Sequence, residues 1–194
     1  VPVENMLTSP AKLSALLAEN GVDDDTLILA YDGNRMNASR LAWSLMVYGN
    51  HNVRVINGGI AAIQAAGHAL STEAPDIRPA SGPALSQDKD PAWYATIKDM
   101  QQIVENPPTR TIVLDVRTEQ EYLDGGKIPG ALLMDYALNF YADNTFKDTV
   151  STKIDYLEQG MSPDKEIVIY CRTSLRAAPV FIRLYDAGYR NIRI

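Results

Sequence analysis

One thiol and two guanidinium groups share a short stretch of this chain: Cys171, Arg172 and Arg176 lie in the run Cys-Arg-Thr-Ser-Leu-Arg, directly after the apolar segment Glu166-Ile-Val-Ile-Tyr170. These types suit sulfur chemistry in an anion-binding loop, because the thiolate is the reactive form of cysteine and nearby positive charge favours it. The apolar segment reads as a buried strand. Pro179 fits the first turn of a helix, which predicts a helix opening near Arg176 or Ala177. At a strand-to-helix turn the first helical amides have no intrahelical partner and point towards any negative charge held there. Cys171 is therefore the candidate nucleophile, and the loop residues Arg172, Thr173, Ser174, Leu175, Arg176 and Ala177 are the candidate substrate cradle. The competing reading is that a lone cysteine after a buried strand is simply a small hydrophobe.

The elements that must position this loop alternate along the chain. Strands are predicted at 26–31, 53–56, 111–116, 131–134, 166–170 and 191–194, all short and rich in Ile, Val and Leu, as strands buried on both faces of a parallel sheet are. Helices are predicted at 10–20, 38–48, 59–66, 95–106 and 177–187. Such alternation implies an α/β fold with right-handed crossovers. In open sheets of this kind reactive sites lie beyond the carboxyl ends of the strands, which is where Cys171 falls. Asp115 and Arg117, two apart at another strand end, point to the same side and read as a bracing pair. Glu119 and Glu121 read as a solvated helix face, and Tyr136, Phe140 and Tyr141 as either pocket wall or core.

An internal repeat organises the rest. Displacing the chain by 139 residues aligns 19–55 with 158–194 without a gap, and 10 of the 37 positions are identical, among them Gly21 with Gly160, Tyr31 with Tyr170 and Gly49 with Gly188. Cys171 falls on Asp32, so the first copy carries no thiol and is expected to be catalytically silent. The span from 71 to 91, with prolines at 75, 79, 83 and 91, reads as a linker or as a segment wrapped on both copies.

Composition excludes several classes. A net charge of -6 disfavours a nucleic-acid partner. A single cysteine leaves no intrachain disulfide, and only two histidines, His51 and His68, make a zinc site unexpected, so no metal is assigned. No apolar run is long enough to span a membrane. The first residue is Val1, and the compartment stays open between cytoplasm and, after removal of a leader, periplasm.

Three stretches carry a family resemblance. Ile167-Val-Ile-Tyr-Cys-Arg-Thr-Ser-Leu-Arg-Ala177 resembles the active-site loop of the rhodanese (sulfurtransferase) family. Residues 112–131 are similar to that family's strand ending in Asp-x-Arg followed by a Gly-His/Lys-Ile-Pro-Gly-Ala turn, with Lys127 where histidine is common. Residues 53–67 resemble its Asp-Gly-Gly element, with Asn57 for the aspartate. The resemblance implies a rhodanese-like three-layer α/β fold with a mostly parallel sheet flanked by helices, in tandem copies of the thiosulfate or 3-mercaptopyruvate sulfurtransferase type. On this basis 1–70 is expected to be the C-terminal half of a silent domain, 71–91 a linker, and 92–194 a second domain lacking its extreme C-terminus.

The resemblance also implies a mechanism: the Cys171 thiolate takes the outer sulfur of a donor such as thiosulfate, holds it as a persulfide and passes it to cyanide, a thiol or a protein acceptor, without a cofactor. Thr173 and Ser174 depart from both substrate types, since the thiosulfate type tends to have lysine two residues after the cysteine and the mercaptopyruvate type a Gly-Ser-Gly loop. Two other readings stand beside it. One is a non-catalytic binding or redox-sensing module of the same fold. The other is a cysteine phosphatase or arsenate reductase, whose Cys-x5-Arg loop is one residue longer than the Cys-x4-Arg found here.

Overall fold

The computed structural model describes residues 6–194, in two compact units, Val1–Asp90 and Pro91–Ile194. In the first unit α1 (Pro10–Glu19) opens with proline, and Ser9 caps it by accepting the Lys12 N–H at 3.3 Å. The strand β1 (Ile28–Ala30) leads through residues 31–35 into α2 (Met36–Val47), and β2 (Val53–Val55) returns parallel to β1. Ala42, Trp43, Leu45 and Val47 of α2 are buried against this pair. The short helix α3 (Gly59–Ala65) follows Gly58 and Gly59, both with positive φ. Gly59 is fixed by packing, since a Cβ there would stand 2.0 Å from the Asp32 carbonyl oxygen.

Residues 68–90 form no helix or strand, yet they are tied to the same unit. Ala80 donates to the Ala18 carbonyl at 2.9 Å, the Ser14 hydroxyl to the Pro83 carbonyl at 2.7 Å, and Asp90 to the Val47 carbonyl at 2.9 Å.

The second unit contains α4 (Ile97–Glu105), β3 (Thr111–Asp115), α5 (Glu119–Asp124), β4 (Leu132–Leu133), a 3-10 turn at Tyr136–Asn139, α6 (Thr149–Glu158), β5 (Glu166–Tyr170), α7 (Ala177–Asp186) and β6 (Ile192–Arg193). Its four strands are parallel in the order β4-β3-β5-β6, with Asp115 opposite Tyr170. The fold is thus α/β, with parallel sheets flanked by helices. Parallel neighbours need a long crossover, and the helices supply it. β5 sits inside the sheet and reads Ile-Val-Ile through its centre because both of its faces are covered; Ile167, Val168 and Ile169 are at most 1% exposed. Val180, Phe181 and Leu184 of α7 pack in this core, and Trp93 meets Phe181 and Tyr185 edge-on at 5.5 Å.

The structure corrects the sequence expectations in two places. Helix α6, which was not expected, occupies Thr149–Glu158, capped by Asp148. The first strand is confined to Ile28–Ala30, and Tyr31 lies outside it with half its surface exposed. Of the two readings of Phe140 the structure shows the core one: it is buried and stacks on Phe146 at 4.7 Å, following the Tyr136–Asn139 turn.

The segments related by 139 residues share more than sequence. β1 and β2 map onto β5 and β6, and three positions in each segment adopt positive φ: Gly21 and Gly160 (77° and 74°), Arg35 and Ser174 (67° and 61°), Gly49 and Gly188 (86° and 93°).

Candidate active site

Cys171 is the first residue beyond β5, half-buried, at the carboxyl end of the sheet. The loop then turns through Ser174, a non-glycine residue in the left-handed region, and enters α7 with Ala177 fully buried. Holding serine there costs on the order of 1 kcal/mol, which the buried start of α7 must offset. Among the described residues the N–H groups from Arg172 to Ala177 find no acceptor in the chain, and the first bond into the helix runs from Ala178 N to Ser174 O at 3.2 Å.

The equivalent loop of the first unit is filled. Asp32 Oδ1 accepts from Arg35 N at 2.6 Å and Oδ2 from Ala38 N at 2.9 Å, while Asn34 Oδ1 accepts from Met36 N at 3.0 Å and Asn37 N at 3.3 Å. In the 139-residue register these four amides are those of Ser174, Ala177, Leu175 and Arg176. The same turn, in this chain, surrounds a carboxylate.

Arg176 braces the second loop through a side chain that sequence reasoning placed in solvent. Its two terminal nitrogens hold Glu121 at 2.5 and 2.7 Å, a bidentate pair between residues 55 apart in sequence. Glu121 is the third residue of α5, where it also closes a capping box with Thr118. Arg176, with the Thr118 bonds in support, pulls the Glu121 carboxyl down to about 2. In return Glu121, and after it the nearby Cys171 sulfur, raise the affinity of Arg176 for its proton. The arginine thus stands between a carboxylate and the thiol. Glu121 is a correction to the solvated helix face expected from sequence: the capping box fixes the start of α5, and that start faces the loop.

Asp115 and Arg117 form a second braced pair. Asp115 is fully buried and receives the Arg117 fork at 2.6 to 3.0 Å. Burial would raise the Asp115 carboxyl, but the Arg117 and Tyr170 hydrogen bonds outweigh it and leave it lowered. Tyr170, pushed up to about 12 by burial and then by Asp115, stays protonated through the neutral range. From here the pair reaches the turn after α5. Arg117 donates to the Gly126 carbonyl at 2.7 Å, and Tyr170 Oη accepts from Ile128 N at 3.2 Å. This turn, together with Arg117, Tyr170 and Cys171, borders an open depression of about 500 Å³.

The structure therefore brings Cys171, Arg176, Asp115 and Arg117 to one end of the sheet, with Glu121 and Lys127 added. Arg172 is exposed and does not line the depression, whereas Thr173 and Leu175 are half-buried along the loop. Among the described residues no group of three metal-ligating side chains is found, and no helix is long and apolar enough to cross a membrane.

Comparison with known proteins gives this geometry a context. Residues 96–194 match the family described as Rhodanese-like domain. The sulfur carrier protein TtuD of Thermus thermophilus is 28% identical over 209 residues, covering 99% of this chain and 73% of that protein. The 3-mercaptopyruvate sulfurtransferase of Escherichia coli is 26% identical, covering the whole of this chain and 70% of the relative. Among solved structures, an anaerobic ergothioneine biosynthesis enzyme from Chlorobium limicola superposes with a TM-score of 0.85 at 21% identity over 96% of this chain, which spans about half, 51%, of that enzyme.

Proposed function

This chain belongs to the rhodanese-like domain family, and from that premise we propose that it moves sulfane sulfur through a persulfide on Cys171. At family level its relatives are sulfurtransferases and sulfur carriers, and the chain is a sulfurtransferase kind of enzyme. The donor, the acceptor and the intermediate are our reading. Cys171 S⁻ attacks the outer sulfur of thiosulfate, a new S–S bond forms, the donor's S–S bond breaks, and its electron pair leaves with sulfite. The persulfide anion then yields its terminal sulfur to cyanide, a small thiol or a protein thiol, and the Cys171 thiolate returns.

The observation that carries this reading is the filled loop of the first unit beside the open one of the second. Asp32 marks where an anion sits in this turn, and the same amides around Cys171 have no acceptor in the chain. Preorganised amides favour a sulfur-borne charge that develops during reaction, as oxyanion holes favour oxygen-borne charge. We read residues 1–70 and 92–194 as a silent half-domain and an active domain of one tandem protein, supported by the shared element order and shared positive-φ positions. The test is intact mass after thiosulfate treatment and desalting. One added sulfur, lost on addition of cyanide and absent from Cys171→Ser, supports the reading; an unchanged mass with an intact fold sinks it.

A further inference from the structure

The cation that takes the donor's negative charge is not settled by proximity to the thiol, because two of the arginines around Cys171 are already engaged. Arg176 holds Glu121 with both terminal nitrogens, and Arg117 holds Asp115 with its fork. An ion-paired guanidinium presents little net charge to an approaching anion. Arg172 is unpaired among the described residues but lies outside the depression. Lys127 lines the depression together with Cys171 and forms no ion pair among the described residues.

Its backbone is held on both sides. The Gly126 carbonyl before it accepts from Arg117, and the Ile128 N–H after it donates to Tyr170, the residue adjoining Cys171. Its ammonium lies 4.2 Å from the centre of the Tyr122 ring, a contact that holds a cation without cancelling its charge. Tyr122 is in turn anchored to the Ala131 carbonyl at 2.9 Å. The Asp115–Arg117 pair is on this view a device for presenting the lysine as well as a brace.

We propose that Lys127 is the residue that captures the anionic sulfur donor, so that the Cys171 depression selects donors carrying a sulfonate-like group over uncharged ones. This rests on the sulfur-transfer reading of Cys171, and the test separates the two. Cys171 is labelled with two thiosulfonate reagents of similar reactivity, uncharged methyl methanethiosulfonate and anionic 2-sulfonatoethyl methanethiosulfonate. In both the thiolate attacks the sulfenyl sulfur and methanesulfinate leaves, so the reagents share a reaction and differ in the charge and length of the transferred group; the salt dependence of the ratio isolates the charge.

Lys127→Gln is expected to slow the anionic reagent about three- to tenfold relative to the neutral one, the range for one exposed charge at close approach. The difference will shrink at high ionic strength, and Lys127→Arg will keep the parent's ratio. The ratio is internal to each variant, so protein concentration cancels, and a melting curve of each variant confirms that it is folded at the labelling temperature. An unchanged ratio in Lys127→Gln, or equal slowing of both reagents, overturns the assignment. A parent that favours the anionic reagent but takes no sulfur from thiosulfate supports Lys127 and overturns the sulfur-transfer reading instead.

Discussion

In the loop after β1, Asp32 turns its carboxylate onto the amides of Arg35 and Ala38, whereas in the loop after β5 the first residue is Cys171 and the corresponding amides meet no acceptor in the chain. The backbones agree down to a left-handed, non-glycine residue at the fourth position, Arg35 in one and Ser174 in the other. A buried alanine also stands at the seventh position of each, Ala38 in the first turn of α2 and Ala177 at the start of α7. The turn's shape is thus set by strand, helix and packing, and its first side chain decides whether a carboxylate or a thiol meets the loop amides. A carboxylate completes the loop's hydrogen bonds at once. A thiol leaves those donors without an acceptor from the chain.

The largest effect is expected from turning one loop into the other. Cys171→Asp removes sulfur loading entirely, while thermal stability holds or rises by about 1 kcal/mol as the new carboxylate caps α7. Intact mass and a melting curve check both halves, and a variant that melts well below the parent would show that the loops are not interchangeable. Next in size is Glu121→Gln, which frees the Arg176 fork. Loss of the brace loosens the loop around Cys171 more than the freed charge aids capture, so the loading rate at neutral pH, followed by intact mass, is expected to fall about fivefold, a modest figure because Glu121 is 37% exposed.

The pH dependence of that ion pair has a definite sign. Unfolded Glu121 takes its proton near 4.5 and folded Glu121 near 2, so between these values the unfolded state binds more protons. The pair's contribution is present above about pH 4.5 and is lost as pH falls towards 2. Denaturant midpoints of the parent and Glu121→Gln will therefore converge on acidification; a gap that widens would assign the ion pair wrongly.

Asp32→Ala is expected to destabilise the first unit by about 1 to 2 kcal/mol, the value of a lost cap, and to leave sulfur transfer within about twofold. A large loss of transfer would make the first loop a participant. The smallest effect concerns the shared left-handed residue. Ser174→Gly and Arg35→Gly should each stabilise by roughly 0.5 to 1 kcal/mol, relief of Cβ strain exceeding the entropy glycine adds to the unfolded chain. Urea midpoints measure this directly, and destabilisation in either would mean that the side chain contributes more than its backbone strain costs.

Much of this was legible in the sequence where one residue type has one physical use. The Ile-Val-Ile run of β5, the proline at the start of α1 and the Asp-x-Arg spacing at the end of β3 each fixed a local structure. α6 was hidden because Thr149, Val150, Thr152 and Ile154 are β-branched and dilute a helical pattern whose buried positions are only Thr152 and Tyr156. Its cap, Asp148, and the positive-φ Gly160 just past its end were the signals to use. The partner of Arg176 could not come from periodicity, since Glu121 lies 55 residues away. The Thr118-x-x-Glu121 capping box nevertheless placed that carboxylate at the start of a helix following a strand end, and strand ends of a parallel sheet share one rim.

Gly59 carries a consequence for anyone scanning this protein by mutation. With no room for a methyl group above the Asp32 carbonyl, position 59 will tolerate almost nothing, while Asp32, at the place that Cys171 takes in the other loop, will tolerate several residues at moderate loss. A map of permitted substitutions would then mark the glycine as the vital residue of the first unit and pass over the loop beside it. Such a map records where atoms have no space, and the strictest constraint on the shape of the loop after β1 comes from a residue outside that loop.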